Sequence, residues 1–135
     1  MDARPTTVTI AAALVDALVA EAVSAAPREA CGLLVGRGHD VHRIVPARNV
    51  DASPTRYTID PADHFAALRE ARRDGLAVIG AYHSHPAGPP EPSPRDTAEA
   101  VPEFLYVIVG LVPAPAVAAW HLAGGNFAGL SLVRT

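Results

Sequence analysis

The residues best suited to chemistry in this sequence are His83-Ser84-His85, followed past a proline-dense stretch by Ser93-Pro94-Arg95-Asp96. On a strand, residues i and i+2 point to the same face, with Cα atoms about 6.6 Å apart. Two imidazoles at that spacing can converge on one ion, because a Zn–N bond is only about 2.0–2.1 Å. Pro86 ends the ladder directly afterwards, which places both histidines at a rim of the sheet and not in its middle. Asp96 falls in the first turn of the next helix, behind Ser93 as cap and Pro94. Two histidines and one carboxylate leave a coordination position open, as catalytic zinc sites do and closed structural sites do not. Water in that position ionises near a pKa of about 7. Each residue also has an ordinary reading. A lone histidine is usually a hydrogen-bonded polar residue, and an aspartate at the third helical position is stabilised by the cap and the dipole. The joint spacing favours the metal.

The elements that must position these residues follow from pattern. Thr7 to Ile10 reads as a short strand, and Ala11 to Ala26, broken by Asp16 and Glu21 and closed by Pro27, as a largely buried helix. Ala30 to Gly36 is a continuous apolar run, a buried strand, with Val41 to Val45 as its hairpin partner. Ala47 to Pro54 is loop, and Arg56 to Ile59 a short strand. Asp60-Pro61 opens a helix that stops by Gly75. Leu76 to Tyr82 is the buried strand that delivers His83 and His85. Phe104 to Leu111 is a central strand, and Ala116 to Leu122 and Phe127 to Val133 form a hairpin around Gly124-Gly125-Asn126. The sum is an α/β fold over residues 1–135, one mixed-sheet domain flanked by two or three helices.

With these residues in place, the chain resembles a known family. His83-Ser84-His85-Pro86, six further residues, then Ser93-Pro94-Arg95-Asp96 is similar to the H-x-H-P-x6-S-x-x-D signature of the JAMM (MPN-plus, JAB-domain) metallopeptidases, short prokaryotic type. REACGLLVG, from Arg28 to Gly36, resembles the family's first characteristic segment. The similarity runs on through RNVDASP, YTIDPADH and the terminal strands. It implies a cytidine-deaminase-like JAB/MPN fold and one zinc ion per chain on His83, His85 and Asp96, with water as fourth ligand. Glu29 is then the general base, and Ser93 helps stabilise the oxyanion. Ser84 lies inside the motif and is not assigned to catalysis; with Asn49 and Cys31 it is a candidate to support the centre or touch substrate. Asn49 falls in a region that resembles part of the wall near the site, where it supports the centre or touches substrate. The implied reaction is hydrolysis of the amide bond after the C-terminal Gly-Gly of a ubiquitin-like protein. The substrate that the resemblance implies is a sulfur-carrier adduct or extension. The alternatives are a general deconjugating isopeptidase of a prokaryotic ubiquitin-like modifier and a non-enzymatic scaffold, which lacks such ligands. An extended, glycine-ended tail would dock by adding a strand to a sheet edge.

The remaining features bound the function. The chain has 135 residues, half of them apolar, and a net charge of −3, so no basic surplus argues for nucleic acid. Val8 to Ala26 carries Asp16 and Glu21, which suits neither a signal peptide nor a membrane span. The single cysteine, Cys31, forms no disulfide within the chain and suits a reducing cytoplasm. Cys31 lies near Glu29 and could be a fourth ligand or an inhibitory thiolate, but a small residue in a buried strand is the expected role. His39, His42, His64 and His121 receive no metal role. Tyr57 and Trp120 are expected to pack and not to touch substrate.

Overall fold

The computed structural model describes residues 6–135. The order is β1 (Thr7–Ile10), α1 (Ala12–Ala25), β2 (Cys31–Arg37), β3 (Asp40–Ala47), α2 (Pro61–Arg73), β4 (Ala77–His85), α3 (Pro94–Glu99), β5 (Leu105–Gly110), β6 (Ala116–Ala123) and β7 (Asn126–Arg134). The strands follow one another in space as β1-β3-β2-β4-β5-β6-β7 and close into a barrel. Closure comes from β1, which pairs in parallel with both β3 and β7. The expected mixed sheet with three helices is thus present, but rolled upon itself. Closure also removes most of the sheet edge. The exception is β3, which meets β1 only at Asp40 and Val41 and has no second neighbour from His42 to Ala47 among the described residues.

Period explains how the helices attach. Val15, Leu18 and Ala22 of α1 recur at helical spacing and are buried. They pack with Leu34, Tyr82 and Val107 on one face of the sheet. The alternate residues Leu33, Ala81 and Tyr106 face the other way and pack against Ala67 of α2. Helix α1 ends before Pro27, where Ala26 is already extended (ψ 139°), as the residue before a proline must be. Helix α2 starts as expected: Asp60 Oδ1 accepts from Ala62 N at 2.9 Å, and Pro61 occupies the first position. The β6–β7 hairpin turns on Gly124 and Gly125, both at positive φ (61° and 84°), the backbone that a two-residue turn of this hand requires. No helix is long and apolar enough to cross a membrane.

Two expectations are corrected. Arg56 to Ile59 is not a strand; Ile59 makes one isolated bridge, to Asn49, and the rest is loop. The strand expected over Leu76 to Tyr82 runs from Ala77 through His85, with Cys31 opposite His83 on one side and Ile108 to Gly110 beside His83 to His85 on the other. Flanked on both sides, the first histidine is not at a rim at all: His83 is 1% exposed.

Candidate metal centre

Strand β4 sends the side chains of His83 and His85 to one face, and the first turn of α3 brings Asp96 to meet them. His83 Nε2 lies 3.1 Å from His85 Nε2 and 3.2 Å from Asp96 Oδ2, and His85 Nε2 lies 3.1 Å from the same oxygen. Donors held about 2.0–2.1 Å from a tetrahedral ion stand about 3.3 Å from one another, so the spacing of this triangle suits a zinc-sized ion. Among the described residues this is the one group of three or more His, Cys, Asp or Glu donors drawn together in this way.

Asp96 serves the helix and the cluster at once. Ser93 Oγ accepts from Asp96 N at 3.0 Å, and Asp96 Oδ2 accepts from Ser93 N at 2.9 Å, a complete capping box. The capping and the metal-facing readings of Asp96 are therefore not rivals. The cap is what fixes the carboxylate in front of the histidines. Burial works against its charge, but hydrogen bonds with His83 and His85 and the Ser93 N–H hold the carboxyl well below the usual range. The histidines divide. Burial pushes His83 down and keeps it neutral, although Asp96 pulls the other way. For the more exposed His85, burial is outweighed by Asp96 and the Pro89 carbonyl, and its pKa is raised.

The proline-dense turn is anchored from both ends of the fold. His85 Nδ1 lies 3.0 Å from Pro89 O, and Trp120 Nε1 donates to Pro90 O at 3.0 Å. Gly110, paired with His85, lies directly under this turn. A Cβ there would meet Pro89 C and Pro90 N at 2.4 Å, so only glycine lets the turn close on the strand. Trp120 packs, as expected, and also fastens this wall.

Glu29 precedes β2 and is 5% exposed. Its backbone is clamped on both sides: its N–H donates to Ser53 O at 2.8 Å, and its carbonyl accepts from Asn49 Nδ2 at 3.2 Å. The next residue is held by Ser84, whose Oγ accepts from Ala30 N at 2.7 Å and whose N–H donates to Ala30 O. Ser84 therefore faces away from the cluster and ties the Glu29–Ala30 segment to β4. Glu29 Oε1 is buried without a partner. Burial, with Asp96 nearby, outweighs the attraction of His85 and Arg95 and raises the Glu29 carboxyl to about 7, where it can both take and give a proton. Glu29 shares a cleft of about 230 Å³ with His85, Ser93, Pro54, Thr55 and the Pro86–Gly88 turn. With Glu21, Arg28, Cys31, Arg48 and Asn49 it also lines a second cavity of about 390 Å³.

Asn49 does not reach into the cleft; it organises the loop beside it. Its Nδ2 donates to Glu29 O and Arg56 O, and its Oδ1 accepts from Asp51 N and Thr58 N at 3.1 and 3.0 Å. All four capacities of the amide are used. Cys31 is buried and outside the donor cluster, its Sγ directed to Ala47 O at 3.8 Å. Burial pushes its thiol up to about 12, which suits a small core residue and not a thiolate. Tyr57 is the contact that pattern reading missed: its ring stacks on His83 with centroids 4.4 Å apart and planes 19° apart. A single aromatic residue in the polar stretch from Arg48 to Thr58 was the available signal.

Comparison with known proteins places this geometry. The model of the family described as prokaryotic homologs of the JAB domain matches residues 11–123. The chain belongs to that family. The expected JAB-type α/β fold is therefore present, with its sheet closed. A Thermus thermophilus protein named "Probable TtuB-protein conjugate cleaving protease" is 48% identical to this JAB chain over 86 residues, 63% of the chain and 57% of the relative. A Mycobacterium tuberculosis protein named "CysO-cysteine peptidase" is 38% identical over 103 residues, 74% of the chain and 70% of the relative. The chain spans a little over half the length of the first of these relatives. Among solved structures, that of a Desulfitobacterium hafniense protein has a TM-score of 0.85 at 31% identity, covering 95% of this chain and 92% of the other.

Proposed function

We propose that this JAB-family chain is a zinc-dependent hydrolase that cuts the amide bond after the C-terminal Gly-Gly of a ubiquitin-like protein. One observation carries the reading: His83 Nε2, His85 Nε2 and Asp96 Oδ2 lie within 3.2 Å of one another, and His85 lines the same cleft as Glu29. His83, His85 and Asp96 hold one zinc ion. When bound, zinc supplies Lewis acidity, drawing charge from oxygen and lowering the pKa of water. Glu29 does the proton work. Its carboxylate takes a proton from the attacking water as the C–O bond forms, then gives it to the leaving nitrogen as the C–N bond breaks. The products are a carboxylate and an amine. Ser93 is free to help, because its Oγ accepts from Asp96 N and its own proton remains available to the developing oxyanion. The cleft between Pro54-Thr55 and the Pro86–Gly88 turn is where the Gly-Gly tail would lie.

The leaving group on which we settle is an adduct or extension on a sulfur-carrier protein, which the relative named "CysO-cysteine peptidase" supports. The relative named "Probable TtuB-protein conjugate cleaving protease" supports a second reading, deconjugation of a ubiquitin-like modifier, which differs in the leaving group alone. Intact-protein mass spectrometry tests the proposal. The zinc-loaded chain is incubated with a Gly-Gly carrier bearing a C-terminal cysteine, and with the same carrier joined to a lysine side chain, with and without chelator. Chelator-sensitive release ending at the second glycine is expected. Release at another position, or equal release after confirmed zinc removal, contradicts it.

A further inference from the structure

The two imidazoles of the cluster are held by different means. A metal-holding histidine ordinarily gives its second ring nitrogen to an acceptor, which fixes the ring and raises its basicity. His85 follows this rule, with Nδ1 3.0 Å from Pro89 O. His83 does not, for its Nδ1 is buried with no partner. What His83 has instead is the face of Tyr57, centroid to centroid 4.4 Å and nearly parallel at 19°. We propose that Tyr57 is the positioning residue of His83, its ring face replacing the missing acceptor as the element that keeps Nε2 aimed at the centre.

Tyr57 is itself firmly placed. Its two neighbours in the chain are both tied to Asn49, through Arg56 O and Thr58 N, and Thr58 Oγ1 donates to Asp51 Oδ2 at 2.7 Å. Away from His83, it shares the lining of a cavity of about 210 Å³ with Leu33, Ala81 and Tyr106. A stacked ring restrains the plane of His83 but accepts no proton. His83 is therefore held by shape and His85 by a hydrogen bond.

The inference rests on reading His83 as a zinc donor, and its test separates the two. Zinc affinity of the full chain is measured by competition with a chromophoric chelator for wild type, Tyr57→Phe and Tyr57→Leu. The melting midpoint of each metal-free protein is read alongside, and the cobalt-substituted forms report the geometry by absorption. Phe keeps the flat face, while Leu keeps bulk without it. The expected result is affinity within about twofold of wild type for Tyr57→Phe. For Tyr57→Leu it is a loss of roughly tenfold or more, the scale on which a supporting residue affects a metal site, with an altered cobalt spectrum. Equal affinity for Leu and wild type overturns the proposal. So does an equal loss for Phe and Leu, which would assign the effect to the hydroxyl or the fold. Wild-type protein that binds no zinc overturns the metal reading first, and this inference with it.

Discussion

The two sides of the cleft are built differently. On the β4–α3 side, His83 and His85 share a face because strands alternate, and Asp96 meets them because a capping box fixes the first turn of α3. On the other side no regular element reaches the centre. Glu29 is placed by two hydrogen bonds to its backbone, from Asn49 and to Ser53, and by Ser84 gripping its neighbour Ala30. The loop that supplies Asn49 and Ser53 also lays Tyr57 on His83. The difference teaches that the donors and the base rest on different elements of this fold, joined at one contact, Tyr57 on His83. The donor side depends on elements that form wherever the sheet forms. The base side depends on one amide and the loop around it.

If that separation holds, substitutions on the two sides have different signatures. The largest effect is expected from Asp96→Ala, which removes a donor and the reciprocal half of the capping box together. Bound zinc and activity should vanish in parallel by elemental analysis and turnover. Glu29→Gln should leave the zinc in place while kcat falls about 10²- to 10⁴-fold, the range of a lost general base. If zinc is lost as well, the two sides are not separable.

The pH profile sharpens the same point. Burial raises Glu29 to about 7, and only the ionised carboxylate can accept a proton. Activity is therefore lost as pH falls through the Glu29 titration, which the positive charge of a bound zinc ion moves below the metal-free value, so kcat/KM should show an acid limb with a midpoint below pH 7. A flat profile from pH 5 to 8 would break the assignment. Asn49→Ala should destabilise by roughly 1–3 kcal/mol, because Glu29 O, Arg56 O and two N–H groups lose their partner. Urea unfolding reads the stability; kcat should fall, and zinc affinity should fall with it, because Asn49 holds the residues on either side of Tyr57. The smallest effect is expected from Cys31→Ala. A buried thiol raised to about 12 is neutral and unreactive, so zinc content and rate should be unchanged.

Much of the donor side was legible in the sequence, because its geometry is local. The i, i+2 rule puts His83 with His85, and Ser93-Pro94 announces the turn that carries Asp96. The depth of His83 was not legible, since it depends on β2 and β5 pairing past the expected end of β4, at Cys31 and Ile108. Barrel closure was hidden for the same reason: a four-residue strand, β1, pairs in parallel with β3 and β7, far along the chain. The loop side was the least legible. The segment around Tyr57 alternates weakly and read as a strand, whereas Asn49 satisfies its backbone and leaves one isolated bridge at Ile59. The contact of Tyr57 with His83 has no period to reveal it.

The most direct measurement is a zinc titration of the metal-free chain, with cleavage of a Gly-Gly-extended carrier followed at each addition. The account predicts no cleavage without metal, a linear return of activity, and a plateau at one zinc per chain that Asp96→Ala never reaches. Cleavage by protein whose metal has been shown to be absent, or a plateau at two equivalents, would contradict it.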